Sequence, residues 1–97
     1  MIIRALRSAV DDLDAGRAFY EHQQRGLGDY FLDSLFSDVD SLLLYAGVHQ
    51  QFFGFYRALS KRFPFAIYYR INGETIEIWH VLDCRQRPSR IRVKLKT

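Results

Sequence analysis

The side chains that point most directly to chemistry are four cations in the second half of the chain: Arg57, Lys61, Arg85 and Arg87. They lie near the ends of predicted strands, which could bring them together. Clustered cations stabilise the charge that develops on a reacting phosphate, or they bind an anionic surface. Cleavage of RNA through its 2′-hydroxyl would also need a base and an acid. Asp83 is the nearest candidate base, but the arginines beside it should lower its pKa and weaken it.

A histidine, a carboxylate and a thiol lie close together at His80, Asp83 and Cys84. A zinc site needs a fourth ligand, and the sequence has no second Cys/His pair at the spacing of a zinc finger. We therefore expect no metal and no cofactor, and we interpret His80 as a half-buried strand histidine. The single cysteine cannot form an internal disulfide, which favours a reducing cytoplasm.

Charge is divided unevenly along the chain. Eight of the eleven acidic residues lie in residues 1–56, and ten of the fourteen basic residues lie in residues 57–97. The basic half could attract nucleic acid or an acidic protein, although a solvated basic face would give the same count. The N-terminus lacks the apolar core of a signal peptide, and no apolar run approaches the roughly 20 residues of a membrane span. We expect one cytoplasmic domain, residues 1–97, that does not enter the membrane.

The first half of the chain predicts a short strand and two helices. The strand covers residues 2–7, and a helix follows from about residue 9, with Ser8 in a possible capping box. This helix should end at Gly26-Leu-Gly28. The second helix has an apolar stripe with a period of 3.6 residues: Phe31, Leu35, Val39, Leu42 and Ala46. Because few residues join the two helices, we expect an antiparallel helix hairpin.

The second half changes to the two-residue period of strands. We expect strands at residues 55–62, 65–71 and 75–82, the last two joined by a turn at Asn72-Gly73. The element order is β-α-α-β-β-β, an α+β fold in which the helix hairpin covers one face of an antiparallel sheet and the first strand joins an edge. We expect the leucines and Val39 of the second helix to pack on Ile67, Tyr69 and Ile71.

Three groups of aromatic and basic residues remain to be placed in the predicted fold. The residues Phe52, Phe53, Phe55 and Tyr56 should close the core between the second helix and the sheet, with stacking on nucleic-acid bases as the alternative. Trp79 should share a strand face with Val81, in the core or as the wall of a groove. Residues 90–96 alternate basic and aliphatic side chains, which predicts a strand with one cationic face.

Three stretches of the sequence resemble the RelE/ParE superfamily of toxins from bacterial type II toxin–antitoxin pairs. Residues 57–69, RALSKRFPFAIYY, are similar to an arginine and leucine followed by R-F-P-[YF]-x-I-Y-Y. Residues 81–88, VLDCRQRP, are similar to V-L-H-x-R-R-x-P, and Gly26-Leu-Gly28 resembles the family's helix junction. The resemblance implies the same α+β fold. It also implies a hetero-oligomer with an acidic antitoxin, which lays a flexible C-terminal part over the toxin.

The resemblance implies one of two activities. RelE-like members cut messenger RNA on the ribosome, whereas ParE-like members bind DNA gyrase and perform no known chemistry. Asp83 replaces the histidine of the V-L-H-x-R pattern, and no aromatic residue follows Trp79 to replace the late tyrosine of the nucleases. We therefore expect a gyrase inhibitor that acts by binding. A ribosome-dependent endoribonuclease and an inactive antitoxin-binding member remain as alternatives.

Each expected activity, and the binding of the antitoxin, would use its own set of residues. A nuclease would use Arg57, Lys61, Asp83 and Arg85, and a gyrase inhibitor would bind its target through Arg57, Arg85 and Arg87. The expected antitoxin-binding residues are Trp79, Phe53, Arg90, Arg92 and Lys94. The apolar anchors of the antitoxin should enter a groove between the sheet and the helix hairpin, near Trp79 or the aromatic residues 52–55.

Overall fold

A central five-stranded sheet with helices on both faces forms the fold in the computed structural model, which describes residues 1–96. The strands are β1 (Ile2–Ala5), β2 (Gln51–Phe52), β3 (Phe55–Leu59), β4 (Phe65–Asn72) and β5 (Thr75–Asp83), and the helices are α1 (Arg7–Gln23), α2 (Leu27–Asp40), α3 (Leu42–Tyr45) and α4 (Pro88–Leu95). The sheet order is β1-β5-β4-β3-β2, and only the pairing of β1 with β5 is parallel. The predicted α+β class and the edge position of the first strand are confirmed.

The two long helices form the predicted hairpin. Gly26 adopts a φ of 86° between them, a left-handed conformation that glycine takes without steric cost. Gly28 lets the helices approach closely, because a Cβ there would lie 2.7 Å from the carbonyl oxygen of Arg17. The expected capping box is wrong: α1 begins at Arg7 after Leu6, and the Ser8 hydroxyl donates to the carbonyl of Trp79. That hydroxyl therefore joins α1 to β5 instead of capping α1.

The larger core lies between this hairpin and the sheet. Leu35 of α2 and Leu42 of the short helix α3 pack with Ile67 and Tyr69 of β4, as expected. Val39 is only partly buried at the edge of the same cluster. The expectation that Ile71 lies in this core is wrong, since Ile71 is 36% exposed near the end of β4.

Two strand boundaries differ from the prediction. β3 stops at Leu59, before the residues that begin the turn to β4. In the β4–β5 hairpin, Asn72 still pairs with Thr75, so the two-residue loop is Gly73–Glu74 instead of Asn72–Gly73. Gly73 has a φ of 60°, as the first loop residue of a type II′ turn requires. The loop therefore needs one residue with positive φ, and the glycine supplies it.

The alternating tail is a helix and not the predicted strand. Pro88 stands in the first turn of α4, where its fixed φ favours a helix. Ile91 and Leu95, four residues apart, lie on one helical face and pack on the sheet, while Val93 between them is 66% exposed. An alternation of only seven residues fits both the two-residue period of a strand and the four-residue spacing of a helix. Contact with the sheet face opposite the helix hairpin favours the helix.

Helix α4 covers a second, smaller core on the sheet face opposite the helix hairpin. Its buried members are Phe55, Ala66, Tyr68, Leu82 and Leu95, with Trp79, Cys84 and Ile91 partly buried beside them. A register shift at Tyr68/Tyr69 sets Trp79 out of phase with Val81, because the pairing passes from Tyr68 with His80 to Tyr69 with Ile78. Trp79 therefore faces α4, and the expectation that it shares a face with Val81 is wrong.

Candidate functional site

A groove between α4 and the sheet contains Arg57. Its Nε donates to the Tyr68 hydroxyl at 3.2 Å, and its Nη2 lies 3.5 Å from the sulfur of Cys84. The guanidinium also lies over the ring of Phe52, 5.3 Å from its centroid. Burial lowers the pKa of Arg57, but its contacts with Tyr68 and Cys84 outweigh burial and raise it. Arg57 is therefore a permanent, pre-oriented cation in a groove of about 440 Å³.

Arg85 and Asp83 form a separate ion pair. The Arg85 Nη2 lies 2.7 Å from Asp83 Oδ2, and its Nε and backbone N–H donate to Oδ1 at 3.0 and 2.8 Å. The same guanidinium reaches the Tyr20 hydroxyl at 3.4 Å, on the side of the helix hairpin. These hydrogen bonds hold the pKa of Asp83 below its usual range, in the direction expected from the sequence. A carboxylate in this setting is a poor proton acceptor.

The four predicted cations do not meet at one point. Arg57 faces Tyr68 and Cys84, whereas Arg85 turns toward Tyr20 on the other side of the sheet. Arg87 is exposed at the start of α4 and lines the same surface as Arg85. Lys61 is exposed in the β3–β4 turn, where its backbone N–H lies 3.4 Å from a carboxylate oxygen of Asp38. The expected convergence of strand ends is wrong, because Arg57 lies within β3, Lys61 lies in the β3–β4 turn, and Arg85 and Arg87 follow the end of β5.

The aromatic residues 52–55 do not close the core beneath the second helix. Phe55 is fully buried, but it packs under α4, while Phe52 and Phe53 are 38% and 55% exposed. Tyr56 alone packs with the helix-hairpin core, where its ring stacks on Tyr69. Phe52 and Phe53 therefore line a groove beneath α4, while a smaller pocket lies between the sheet and α1 of the helix hairpin.

The five residues expected to bind an antitoxin do not all share one surface. Phe53 and Arg92 lie together, with the Arg92 guanidinium 5.2 Å from the centroid of the Phe53 ring, and Trp79 is behind them, beneath Arg70. Lys94 instead borders a cavity of about 200 Å³ between α1 and β5. Arg90 and Lys94 together line a surface pocket along α4, and Arg90 also lies near Arg85. The alternating sequence could not reveal this division because it follows from the helical period of α4.

Two buried polar contacts were not expected from the sequence. Asp38 of α2 is 8% exposed and accepts a hydrogen bond from the Ser60 hydroxyl at 2.6 Å, which ties the helix to the β3–β4 turn. Asp12 of α1 accepts from the backbone N–H of Val81 at 3.0 Å and lies 3.0 Å from Nδ1 of His80. His80 is half-buried in its strand, as expected. The apolar stripes of α1 and α2 did not predict a contact for either carboxylate, because each carboxylate lies at the border of the stripe on its own helix.

A solved structure described as the chromosomal ParDE TA system from P. aeruginosa contains a chain of similar fold. The two chains superpose with a TM-score of 0.71 at 23% sequence identity, over 84% of this chain and 92% of that one. This chain shares that fold. No family model and no curated protein matches the sequence.

None of the helices in residues 1–96 is long and apolar enough to cross a bilayer. Within the same residues, no group of three or more His, Cys, Asp or Glu side chains is placed to hold a metal ion.

Proposed function

We propose that this protein is the toxin of a type II toxin–antitoxin module, that it inhibits DNA gyrase by binding, and that an acidic antitoxin neutralises it in a hetero-oligomer. The fold shared with a chain of the ParDE system supports the first part. The resemblance of residues 57–69 and 81–88 to the superfamily patterns supports it independently.

The observation that carries action by binding is the pairing of Asp83 with Arg85. Asp83 occupies the position of the histidine in the V-L-H-x-R pattern, and three hydrogen bonds from Arg85 hold it ionised. A base for the 2′-hydroxyl must accept a proton near neutral pH, which a carboxylate of lowered pKa does poorly. Arg57 lies on the other side of the sheet from Arg85 and Asp83. These charged residues therefore belong to two separate contact surfaces.

The proposal is tested by inducing the protein in bacteria and by assaying purified gyrase. We expect growth arrest with DNA-damage signalling, inhibited supercoiling in the purified assay and intact bulk messenger RNA. Arg57→Gln and Arg85→Gln should each weaken gyrase inhibition about tenfold, the usual scale for losing a charge-assisted contact. Arg7→Gln is the matched control, because Arg7 is an exposed residue of α1 paired only with Asp11.

Two outcomes would contradict the proposal. Codon-positioned cuts in translated messages, lost in Arg85→Ala, would identify a ribosome-dependent endoribonuclease. Normal growth and active gyrase, together with tight binding of an acidic protein encoded by the neighbouring reading frame, would identify an inactive antitoxin-binding member.

A further inference from the structure

Arg70 of β4 is held rigidly on the α4 face of the sheet. Its guanidinium lies 4.0 Å from the ring centroid of Phe55 and 4.8 Å from that of Trp79, and its Nε donates to the carbonyl of Gly54 at 3.2 Å. Contact with the aromatic rings occupies a flat face of the guanidinium and leaves N–H groups at its edge free for an acceptor. Arg70 is thus oriented before any ligand arrives.

A second ring-stacked arginine stands opposite Arg70. Arg92 of α4 lies over Phe53, and both arginines line one open cleft of about 510 Å³ together with Lys96 and Leu95. The ion pairs found within residues 1–96 use none of these three cations. Glu77 is the cross-strand neighbour of Arg70, yet no nitrogen of Arg70 lies within 4.0 Å of its carboxylate. Among residues 1–96, the three cations of the cleft are therefore not held in an ion pair.

The hairpin tip that closes this cleft is strained. Phe53 and Gly54 form the two-residue turn between β2 and β3, with φ values of 53° and 84°. Positive φ at both positions suits Asn-Gly, whereas a bulky side chain is disfavoured in the left-handed region. Strain of this kind collects at binding sites, where the side chain is needed for contact. Here it places a 55% exposed ring beside Arg92.

We propose that the cleft between Arg70 and Arg92 is a carboxylate-binding site for an acidic peptide segment. The two guanidinium groups and Lys96 would bind Asp or Glu side chains, and an adjacent apolar side chain would pack against Phe53 and Leu95. A peptide fits better than nucleic acid, because the rings of Phe53, Phe55 and Trp79 each already have an arginine on one face, which leaves less ring surface for stacked bases. That the segment belongs to an antitoxin rests on the proposed function, whereas the chemistry of the site does not.

The site is tested with fluorescent probes on the full chain. The first probe is a peptide of alternating glutamate and leucine, the second has glutamine in place of glutamate, and the third is an oligothymidylate of equal charge. We expect anisotropy to show binding of the glutamate peptide in preference to both others. Arg92→Gln and Arg70→Lys should each lower its affinity about tenfold, because bidentate hydrogen bonds to a carboxylate need an oriented guanidinium.

Two further variants separate a built site from general attraction. Arg62→Gln removes the same charge from the exposed β3–β4 turn, at the opposite end of β4 from Arg70, and we expect less than a twofold loss of affinity. Phe53→Asn should raise the melting temperature by relieving the turn, yet weaken peptide binding several-fold. Equal losses from Arg62→Gln and Arg92→Gln would overturn the proposal, as would tighter binding of the oligothymidylate that depends on Arg70. Unchanged peptide affinity in Phe53→Asn would overturn the role of the strained turn.

The two proposals fail separately. A protein that binds the glutamate peptide through Arg70 and Arg92 but leaves gyrase active would keep the carboxylate site and overturn the proposed target. A protein that inhibits gyrase but does not bind the glutamate peptide would keep the proposed target and overturn the carboxylate site.

Discussion

The two faces of the sheet differ in both packing and charge. The helix-hairpin face buries thirteen residues from α1, α2, α3, β3, β4 and β5, whereas the α4 face buries five. Three arginines lie among aromatic rings on the α4 face: Arg57, Arg70 and Arg92. The hairpin helices instead carry most of the acidic residues, some paired on their own surface. One face therefore supplies most of the hydrophobic stabilisation, while the other presents oriented cations.

This difference indicates a division of labour within one small domain. A core that excludes water tolerates little change, because interiors are packed as densely as organic crystals. A face whose rings already contact arginines can accept a charged partner without moving the larger core. Substitutions in the two faces should therefore separate stability from binding.

The largest expected effect comes from matched truncations in the two cores. Leu35 and Leu95 are both buried, at 0% and 3% exposure, one on each face. Leu35→Ala should lower the free energy of unfolding by about 3 kcal/mol, and Leu95→Ala by about 2 kcal/mol, since the smaller cluster can collapse more easily around the cavity. Chemical denaturation followed by circular dichroism measures both values. A greater loss from Leu95→Ala would reverse the ranking of the two cores.

A smaller effect is expected where the helix hairpin is tied to the β3–β4 turn. Asp38→Ala removes the acceptor of the Ser60 hydroxyl and should cost about 2 kcal/mol, because a partly buried donor loses its partner. Asp40→Ala changes the same charge at an exposed position of α2 and should cost less than about 0.5 kcal/mol. Thermal melts of the two variants decide the matter. Equal melting temperatures would mean that the buried contact adds nothing to stability.

The smallest effect at neutral pH concerns Tyr69, whose hydroxyl accepts from the backbone N–H of Gly47 at 2.9 Å and contacts His49. Burial raises the pKa of Tyr69, so the folded protein keeps this hydroxyl neutral while an unfolded tyrosine ionises at about 10. Its stabilisation is complete below that pKa and is lost as pH rises through the folded value. Tyr69→Phe should cost about 1 kcal/mol near neutrality.

Unfolding free energies measured at alkaline pH distinguish the contribution of Tyr69 from general denaturation. Between pH about 9 and about 11, unfolding free energies should fall less steeply in Tyr69→Phe than in the unmodified protein, because an unfolded tyrosine has a pKa of about 10. Burial also raises the pKa of Tyr20, so part of the alkaline loss should persist in the variant. Tyr45→Phe, at a 56% exposed position, should follow the unmodified protein. Parallel alkaline curves for all three proteins would exclude Tyr69 as the source.

Periodicity in the sequence determined the helix hairpin, the three long strands and much of the larger core. Ala9, Leu13, Gly16 and Tyr20 repeat at helical spacing and are all buried in α1, because one face of an amphipathic helix must leave water. The cationic half and the lowered pKa of Asp83 also followed from sequence, since they depend on residue type and on near neighbours.

Only the tertiary structure decided which groups share a surface. The alternation at residues 90–96 satisfied both strand and helix spacing, and packing of Ile91 and Leu95 on the free sheet face selected the helix. The register shift at Tyr68/Tyr69 turned Trp79 toward α4, and α4 in turn brought Arg92 to the cleft that Arg70 lines. Contacts of this kind join residues distant in sequence, and their free energy depends on burial and register that local spacing does not encode.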